Sequence, residues 1–148
     1  MKNNPTTPRG SVQGHDISIN LLKANDFVAD GIRKQMNTKN ILLINLVSSP
    51  GSGKTALLEA TAEKLKDQLS MAVLVGDLET ERDADRIKKH GIPALQIVTG
   101  GICHLEAQMI HQVLDQGKIP LDDLDILFIE NVGNLVCPSS FDLGEDIR

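Results

Sequence analysis

Apolar and polar residues alternate in blocks along this chain. Four short, nearly continuous apolar runs stand out: Ile41-Leu42-Leu43-Ile44-Asn45-Leu46-Val47, Met71-Ala72-Val73-Leu74-Val75-Gly76, Ala94-Leu95-Gln96-Ile97-Val98 and Ile126-Leu127-Phe128-Ile129-Glu130. Their length and content are those of strands buried on both faces. Longer stretches between them carry helical spacing. In 17–36, Leu21, Leu22, Ala24, Phe27, Val28, Ile32 and Met36 are placed near one face, and 56–65 lies between the first and second runs. Thr80-Glu81-Arg82-Asp83 opens a polar helix that Gly91 ends, and 103–116 forms another that Gly117 closes. Strands alternating with helices predict an α/β fold, a mostly parallel sheet with helices on both faces. Residues 1–16 read as a flexible tail and 17–148 as one domain. The chain then stops at Asp142-Leu143-Gly144-Glu145-Asp146-Ile147-Arg148 with no further strand predicted. Four strands are few for such a sheet, so the last strands and helices are expected to be missing and one sheet edge to lack a partner.

Composition narrows the class without choosing a function. The 148 residues are 41% hydrophobic and 24% charged, as in an ordinary globular domain. No apolar run is long enough to span a bilayer, and the polar first residues carry no apolar signal segment, so a cytoplasmic protein without membrane contact is expected. A net charge of −5, no Trp or Tyr and three Phe argue against nucleic acid as a partner. In that setting two cysteines read as free thiols or metal ligands rather than a disulfide.

The chemistry begins where the first apolar run ends. Ser48-Ser49-Pro50-Gly51-Ser52-Gly53-Lys54-Thr55 is a glycine-rich turn between a strand and a helix, the arrangement of a P-loop NTPase. Gly51 and Gly53 let backbone N–H groups turn inward at a helix N-terminus, with Pro50 and Ser52 completing the cradle. Lys54 is placed for the β- and γ-phosphates and Thr55 for Mg²⁺. The strict pattern is broken once, by Ser48 where the first glycine belongs. Asp77 and Glu130 each end an apolar strand, on the sheet edge where ligands of open parallel sheets lie. Asp77 is a second candidate for Mg²⁺, and Glu130-Asn131-Val132-Gly133 resembles the Asp-x-x-Gly switch of GTPases, with the Gly133 N–H as a sensor of the γ-phosphate. Lys54, Asp77 and Glu130 are the catalytic candidates.

A second cluster is weaker by spacing alone. Cys103 and His104 follow Gly100-Gly101-Ile102 at the start of the predicted helix, where the helix N-terminus is expected to lower the thiol pKa. Cys137 follows the switch segment. All three hang from strand ends on one edge, and two thiolates with an imidazole suit Zn²⁺ or Ni²⁺. Two buried thiols and a surface histidine would read the same way.

Together these segments resemble the hydrogenase nickel-insertion GTPases, the HypB-like branch of the SIMIBI metal-chaperone NTPases. The resemblance is carried by the phosphate loop, by Gly76-Asp77-Leu78-Glu79-Thr80-Glu81-Arg82-Asp83, by Gly101-Ile102-Cys103-His104-Leu105 and by Glu130-Asn131-Val132-Gly133-Asn134-Leu135-Val136-Cys137-Pro138. It implies GTP binding and hydrolysis with Mg²⁺, coupled to nickel delivery during maturation of a nickel–iron hydrogenase. It further implies a Ni²⁺ or Zn²⁺ site from Cys103, His104 and Cys137 at a homodimer interface formed on GTP or metal binding. The partners it implies are other maturation proteins and the hydrogenase large subunit. No Asn-Lys-x-Asp guanine-reading motif occurs in the chain. Two other readings stay open at this stage: a small-molecule kinase using Asp77 as base, and a non-catalytic metal-binding fragment.

Overall fold

The computed structural model describes residues 14–78 and 82–148. Four strands, β1 (Leu42–Leu46), β2 (Met71–Asp77), β3 (Ala94–Val98) and β4 (Ile126–Glu130), form one sheet in the order β1-β4-β2-β3, with every pairing parallel. Four α-helices accompany them: α1 (Gly14–Thr38), α2 (Lys54–Leu65), α3 (Arg82–Lys88) and α4 (Ala107–Asp115). The fold is the expected α/β architecture. Among the described residues no helix is long and apolar enough to cross a membrane.

The period-two alternation of strand side chains divides the core in two. Ala72 and Leu74 of β2, with Leu127 and Ile129 of β4, meet Ala29, Ile32 and Met36 of α1 and Ala107, Ile110 and Leu114 of α4. Met71, Val73, Val75 and Phe128 point the other way, onto Leu58 and Ala62 of α2 and Ala84 and Ile87 of α3. Both faces of each central strand are covered, which is why those segments read as continuous apolar runs.

Three expectations are corrected. The buried stripe of α1 is Asn25, Ala29, Ile32 and Met36, whereas Leu21 is exposed and Phe27 is 82% exposed. At 100° per residue Phe27 points well away from that stripe, so the face is narrower than the sequence suggested. Next, the helix expected at 103–116 begins only at Ala107; Glu106 is its N-cap in an extended conformation (φ −113°, ψ 152°), and Cys103 and His104 lie in the turn before it. Then, α1 starts at Gly14 rather than after residue 16, while 1–13 of the expected tail, and the Glu79-Thr80-Glu81 opening expected for α3, lie outside the described residues.

The two edges of the sheet differ. Beyond β1, the Asn45 N–H donates to the Ile147 carbonyl at 2.9 Å and the Asp146 N–H to the Leu43 carbonyl at 2.8 Å. A parallel bridge joins Ile44 to Ile147, so the final residues pair with the β1 edge, while β3 is the other edge of the sheet and has no further strand beside it among the described residues. Gly144 makes this approach possible. Its φ is 86°, and a Cβ there would lie 2.6 Å from the Ala29 carbonyl oxygen. The segment is also tied to α1 by Arg33, whose guanidinium donates to both Asp142 carboxylate oxygens at 2.8 Å.

Candidate functional site

The C-terminal edge of the sheet carries all the candidate chemistry. In register, Leu46 of β1 and Val75 of β2 both pair with Glu130 of β4, and Asp77 stands two residues further along β2. The loop leaving β1 turns through Gly51 (φ 70°) and Gly53 (φ 94°), conformations that a side chain would strain. Helix α2 starts at Lys54 with Gly53 as its N-cap and no side-chain cap, which leaves its first N–H groups for a ligand.

A cavity of about 380 Å³ opens there, lined by Pro50 through Ala56, Gly76, Asp77, Asp83, Arg86, Glu130, Asn131 and Gly133. The residues proposed from the sequence for phosphate and Mg²⁺, Pro50 through Thr55 with Asp77, Glu130 and Gly133, all line it. Gly133 is pressed so close to the loop that a Cβ would lie 2.9 Å from Pro50 Cα. The Thr55 hydroxyl donates to Glu130 Oε1 at 2.6 Å, which commits its single proton and leaves its lone pairs for a cation. Glu130 Oε2 is buried and has no hydrogen-bond partner. Burial, reinforced by the charge of Asp83, pushes the Glu130 carboxyl up, while the Thr55 hydrogen bond, Lys54 and Arg86 pull the other way. Asp77 Oδ1 accepts the Leu78 N–H at 2.6 Å. A buried carboxylate with one unpartnered oxygen, beside a hydroxyl and a lysine, is an oxygen-rich setting that a hydrated Mg²⁺ would satisfy.

Two cavity residues were missed by the sequence reading. Asp83 reads in the sequence only as part of the opening of a polar helix, and nothing there singles out Arg86. Arg86 is held by Glu59 of α2 at 2.6 Å, an ion pair that also ties α3 to the phosphate-loop helix. Nothing local marks it, because its place in the cavity depends on how α3 packs against β2 and α2.

Beyond the switch lies the second cluster. One ligand atom each from Cys103, His104 and Cys137 lies within 4.8 Å of the others, all three residues half-buried. Ligand atoms around a tetrahedral zinc are roughly 3.3–3.8 Å apart, so a closure of about an ångström would place them on one ion. The thiol pKa expectation is reversed. Cys103 is raised, first because its proton is held in a hydrogen bond to Cys137, then by burial and by the charge Cys137 would carry. Its turn lies outside α4, so the helix dipole does not act as expected. Two adjacent thiols beside an imidazole are a donor set to which a soft divalent cation binds with release of the thiol protons. His111, by contrast, is 44% exposed and pairs with Asp115 on the surface, away from any ligand set.

The two sites are joined through a buried amide. Asn131 Oδ1 accepts the Leu105 N–H at 3.1 Å and the Val132 N–H at 2.9 Å, while its Nδ2 donates to Asn45 Oδ1 at 3.3 Å. Asn45 in turn donates to Glu145 Oε1 at 3.1 Å. Leu105 directly follows the Cys103-His104 turn and packs on Gly76, where a Cβ would lie 2.7 Å from its Cδ1. The residue before Asp77 and the residue after Glu130 therefore both hold the segment that carries Cys103 and His104.

A parallel α/β sheet with a phosphate loop and two strand-end carboxylates defines a P-loop NTPase domain, and beside its loop stands a Cys-His-Cys cluster whose ligand atoms could hold a metal ion. The family model for the CobW/HypB/UreG nucleotide-binding domain matches residues 42–145, and the chain belongs to that family. Among curated proteins it is 52% identical to hydrogenase maturation factor HypB of Escherichia coli K12 over 130 residues, covering 88% of this chain and 44% of that protein. It is 46% identical over 150 residues to the hydrogenase/urease maturation factor HypB of Helicobacter hepaticus, covering all of this chain and 60% of the relative. A crystal structure of HypB from Helicobacter pylori in complex with nickel superposes with a TM-score of 0.73 at 47% identity, covering 82% of this chain and 57% of that one. HypB from Archaeoglobus fulgidus gives a TM-score of 0.74 at 38% identity, covering 84% and 60%. The chain thus spans about half the length of the relatives it matches.

Proposed function

We propose that this chain is the phosphate- and metal-binding part of a GTP-dependent nickel metallochaperone that serves the maturation of a nickel–iron hydrogenase. The observation that carries the reading is the shared scaffold of the two sites: Asn131 and Gly76 border the phosphate cavity and hold Leu105 beside Cys103 and His104. The names of the relatives and the nickel in the Helicobacter pylori structure support the same role.

In this reading the loop amides from Gly51 to Thr55 cradle the phosphates, and the Lys54 ammonium offsets charge on the transferred phosphoryl group. Thr55 and Asp77 hold Mg²⁺, with Glu130 keeping the Thr55 lone pairs turned toward it. When bound, Mg²⁺ neutralises the β- and γ-phosphate oxygens. Gly133, already packed on Pro50, offers its N–H where a γ-phosphate would end. A shift there moves Asn131 and with it the Leu105 N–H, which displaces the Cys103-His104 turn relative to Cys137. Ni²⁺ is the cargo, held by Cys103, His104 and Cys137 and released as that spacing changes. Leu135 and Val136 stand exposed next to Cys137, Val136 at 73%, an apolar rim suited to a second copy or a maturation partner.

Titration with fluorescent GTP and ATP analogues, paired with Ni²⁺ and Zn²⁺ binding to the chain and to its Cys103→Ala and Cys137→Ala variants, tests the reading. The expected result is Mg²⁺-dependent nucleotide binding, one metal per chain lost in both variants, and a metal affinity that differs between nucleotide states. Unchanged metal binding in the variants would remove the metallochaperone role. The kinase reading leaves the Cys-His-Cys cluster unexplained, and no feature of the cavity favours it.

A further inference from the structure

How His104 is held distinguishes its two ring nitrogens. Its ring stacks on Phe141, with centroids 4.0 Å apart and planes inclined by 22°. Nδ1 faces the thiols, 3.9 Å from Cys103 Sγ. Nε2 is turned into the protein, where it is buried and makes no hydrogen bond. The charged group closest to it is Glu106, with Oε1 3.4 Å away, near enough for an electrostatic contact but not aligned for a hydrogen bond.

Glu106 is unusual in its own right. It occupies the N-cap of α4, where a side-chain oxygen would ordinarily accept one of the open helix N–H groups, yet it makes no such bond. The Ala107 N–H is satisfied elsewhere, donating to Asn25 Oδ1 at 2.8 Å. A carboxylate not engaged in capping and a buried ring nitrogen without a partner thus stand side by side.

We propose that His104 binds the metal through Nδ1, and that Glu106 is the positioning residue that accepts the Nε2–H and selects this tautomer. The proposal rests on the metal reading of the Cys103–His104–Cys137 cluster and goes one shell beyond it. Neutral imidazole carries one N–H, and the hydrogen bond made by one nitrogen decides which lone pair the other presents. With the proton on Nε2, the Glu106 carboxylate can accept that N–H and Nδ1 turns a lone pair toward Cys103 Sγ. With the proton on Nδ1, a lone pair would face the carboxylate and an N–H would point at the Cys103 sulfur. Metal capture through Nε2 would require the ring to turn and bring out an atom that has no solvent contact as it stands. A carboxylate that accepts from a ligating histidine also raises its basicity, and losing such a partner costs about 10–100-fold in metal affinity.

Two measurements on the 148-residue chain test this. Long-range ¹H–¹⁵N correlation of the metal-free protein is expected to show His104 in the Nε2–H form. The Zn²⁺-loaded protein is expected to show Nδ1 shifted as the bound nitrogen. In Glu106→Ala, Ni²⁺ affinity measured by competition with a chromophoric chelator falls about 10–100-fold, and the mixed tautomers of His104 appear in the metal-free spectrum. The thiolate-to-nickel absorption bands persist, because both cysteines remain. Glu106→Gln, which keeps an acceptor oxygen, recovers part of the affinity. Binding through Nε2, an Nδ1–H form in the metal-free protein, or an unchanged affinity in Glu106→Ala would each overturn the role of Glu106 alone. Failure of the unsubstituted chain to bind either metal would overturn the cluster reading and this proposal with it.

Discussion

Replacing Glu130 by Gln is expected to stabilise the nucleotide-free protein while weakening its hold on Mg²⁺ and nucleotide. The carboxylate is 5% exposed, Oε1 accepts the Thr55 hydroxyl, and Oε2 has no partner. A buried polar group left unsatisfied costs about 1–3 kcal/mol, and more if charged. Gln keeps the Thr55 bond and removes the charge but leaves an amide NH₂ in the same pocket, so the net gain is about 1 kcal/mol. For a domain of this size that is a rise of about 2–4 °C in Tm. The pH dependence follows from the direction of the shift. Burial raises the folded Glu130 pKa above its ordinary 4.5. The protonated group's contribution is therefore present below the unfolded value and is lost as pH rises through the raised folded one. The advantage of Glu130→Gln should be absent near pH 4 and complete near pH 8. Thermal melts by circular dichroism across that range, in EDTA, measure it. Repeating them with Mg²⁺ and a non-hydrolysable GTP analogue should reverse the ranking, because ligand stabilisation scales with affinity. A variant less stable than its parent at pH 8 without ligand, or a gain that does not vary with pH, would refute the reasoning.

Two further substitutions test how the sites are held. Gly76→Ala would press a Cβ against the Leu105 branch point, 2.8 Å from Cγ, and Leu105 is fully buried. The Cys103-His104 turn must then shift, and Ni²⁺ affinity is expected to fall about tenfold with a loss of about 1–3 kcal/mol in a denaturant melt; unchanged metal binding would show that the turn is not set by β2. Gly144→Ala combines a left-handed φ with a contact of 2.6 Å to the Ala29 carbonyl, and roughly 2–5 kcal/mol of destabilisation is expected. A melt unchanged from the parent would mean that the final segment does not hold its place on β1.

The strands were legible because the parallel sheet is covered on both faces, and residues such as Leu74 and Leu127 leave no polar position to interrupt the pattern. The phosphate loop was legible because Gly51 and Gly53 are required by local backbone geometry. Helix edges were less so. The apolar residues flanking Cys103 and His104 continue the α4 periodicity, yet the Asn131 side chain takes the Leu105 N–H and holds that stretch as a turn. On α1, Leu21 and Phe27 satisfy a helical pattern, but only Asn25, Ala29, Ile32 and Met36 meet the sheet.

Local sequence alone determined the α/β alternation, the cradle at 48–55 and the kinds of ligand atom available at Cys103, His104 and Cys137. Those features depend on backbone preference and side-chain chemistry, which act over a few residues. Tertiary structure decided that Arg86 and Asp83 enter the phosphate cavity, that Glu130 is buried with one oxygen unsatisfied, and that the last residues pair with β1. It also decided which nitrogen of His104 faces the thiols. Each of these depends on residues far apart in the chain being packed together, with water excluded between them. That packing sets burial, and burial sets both the protonation of Glu130 and the direction in which His104 points.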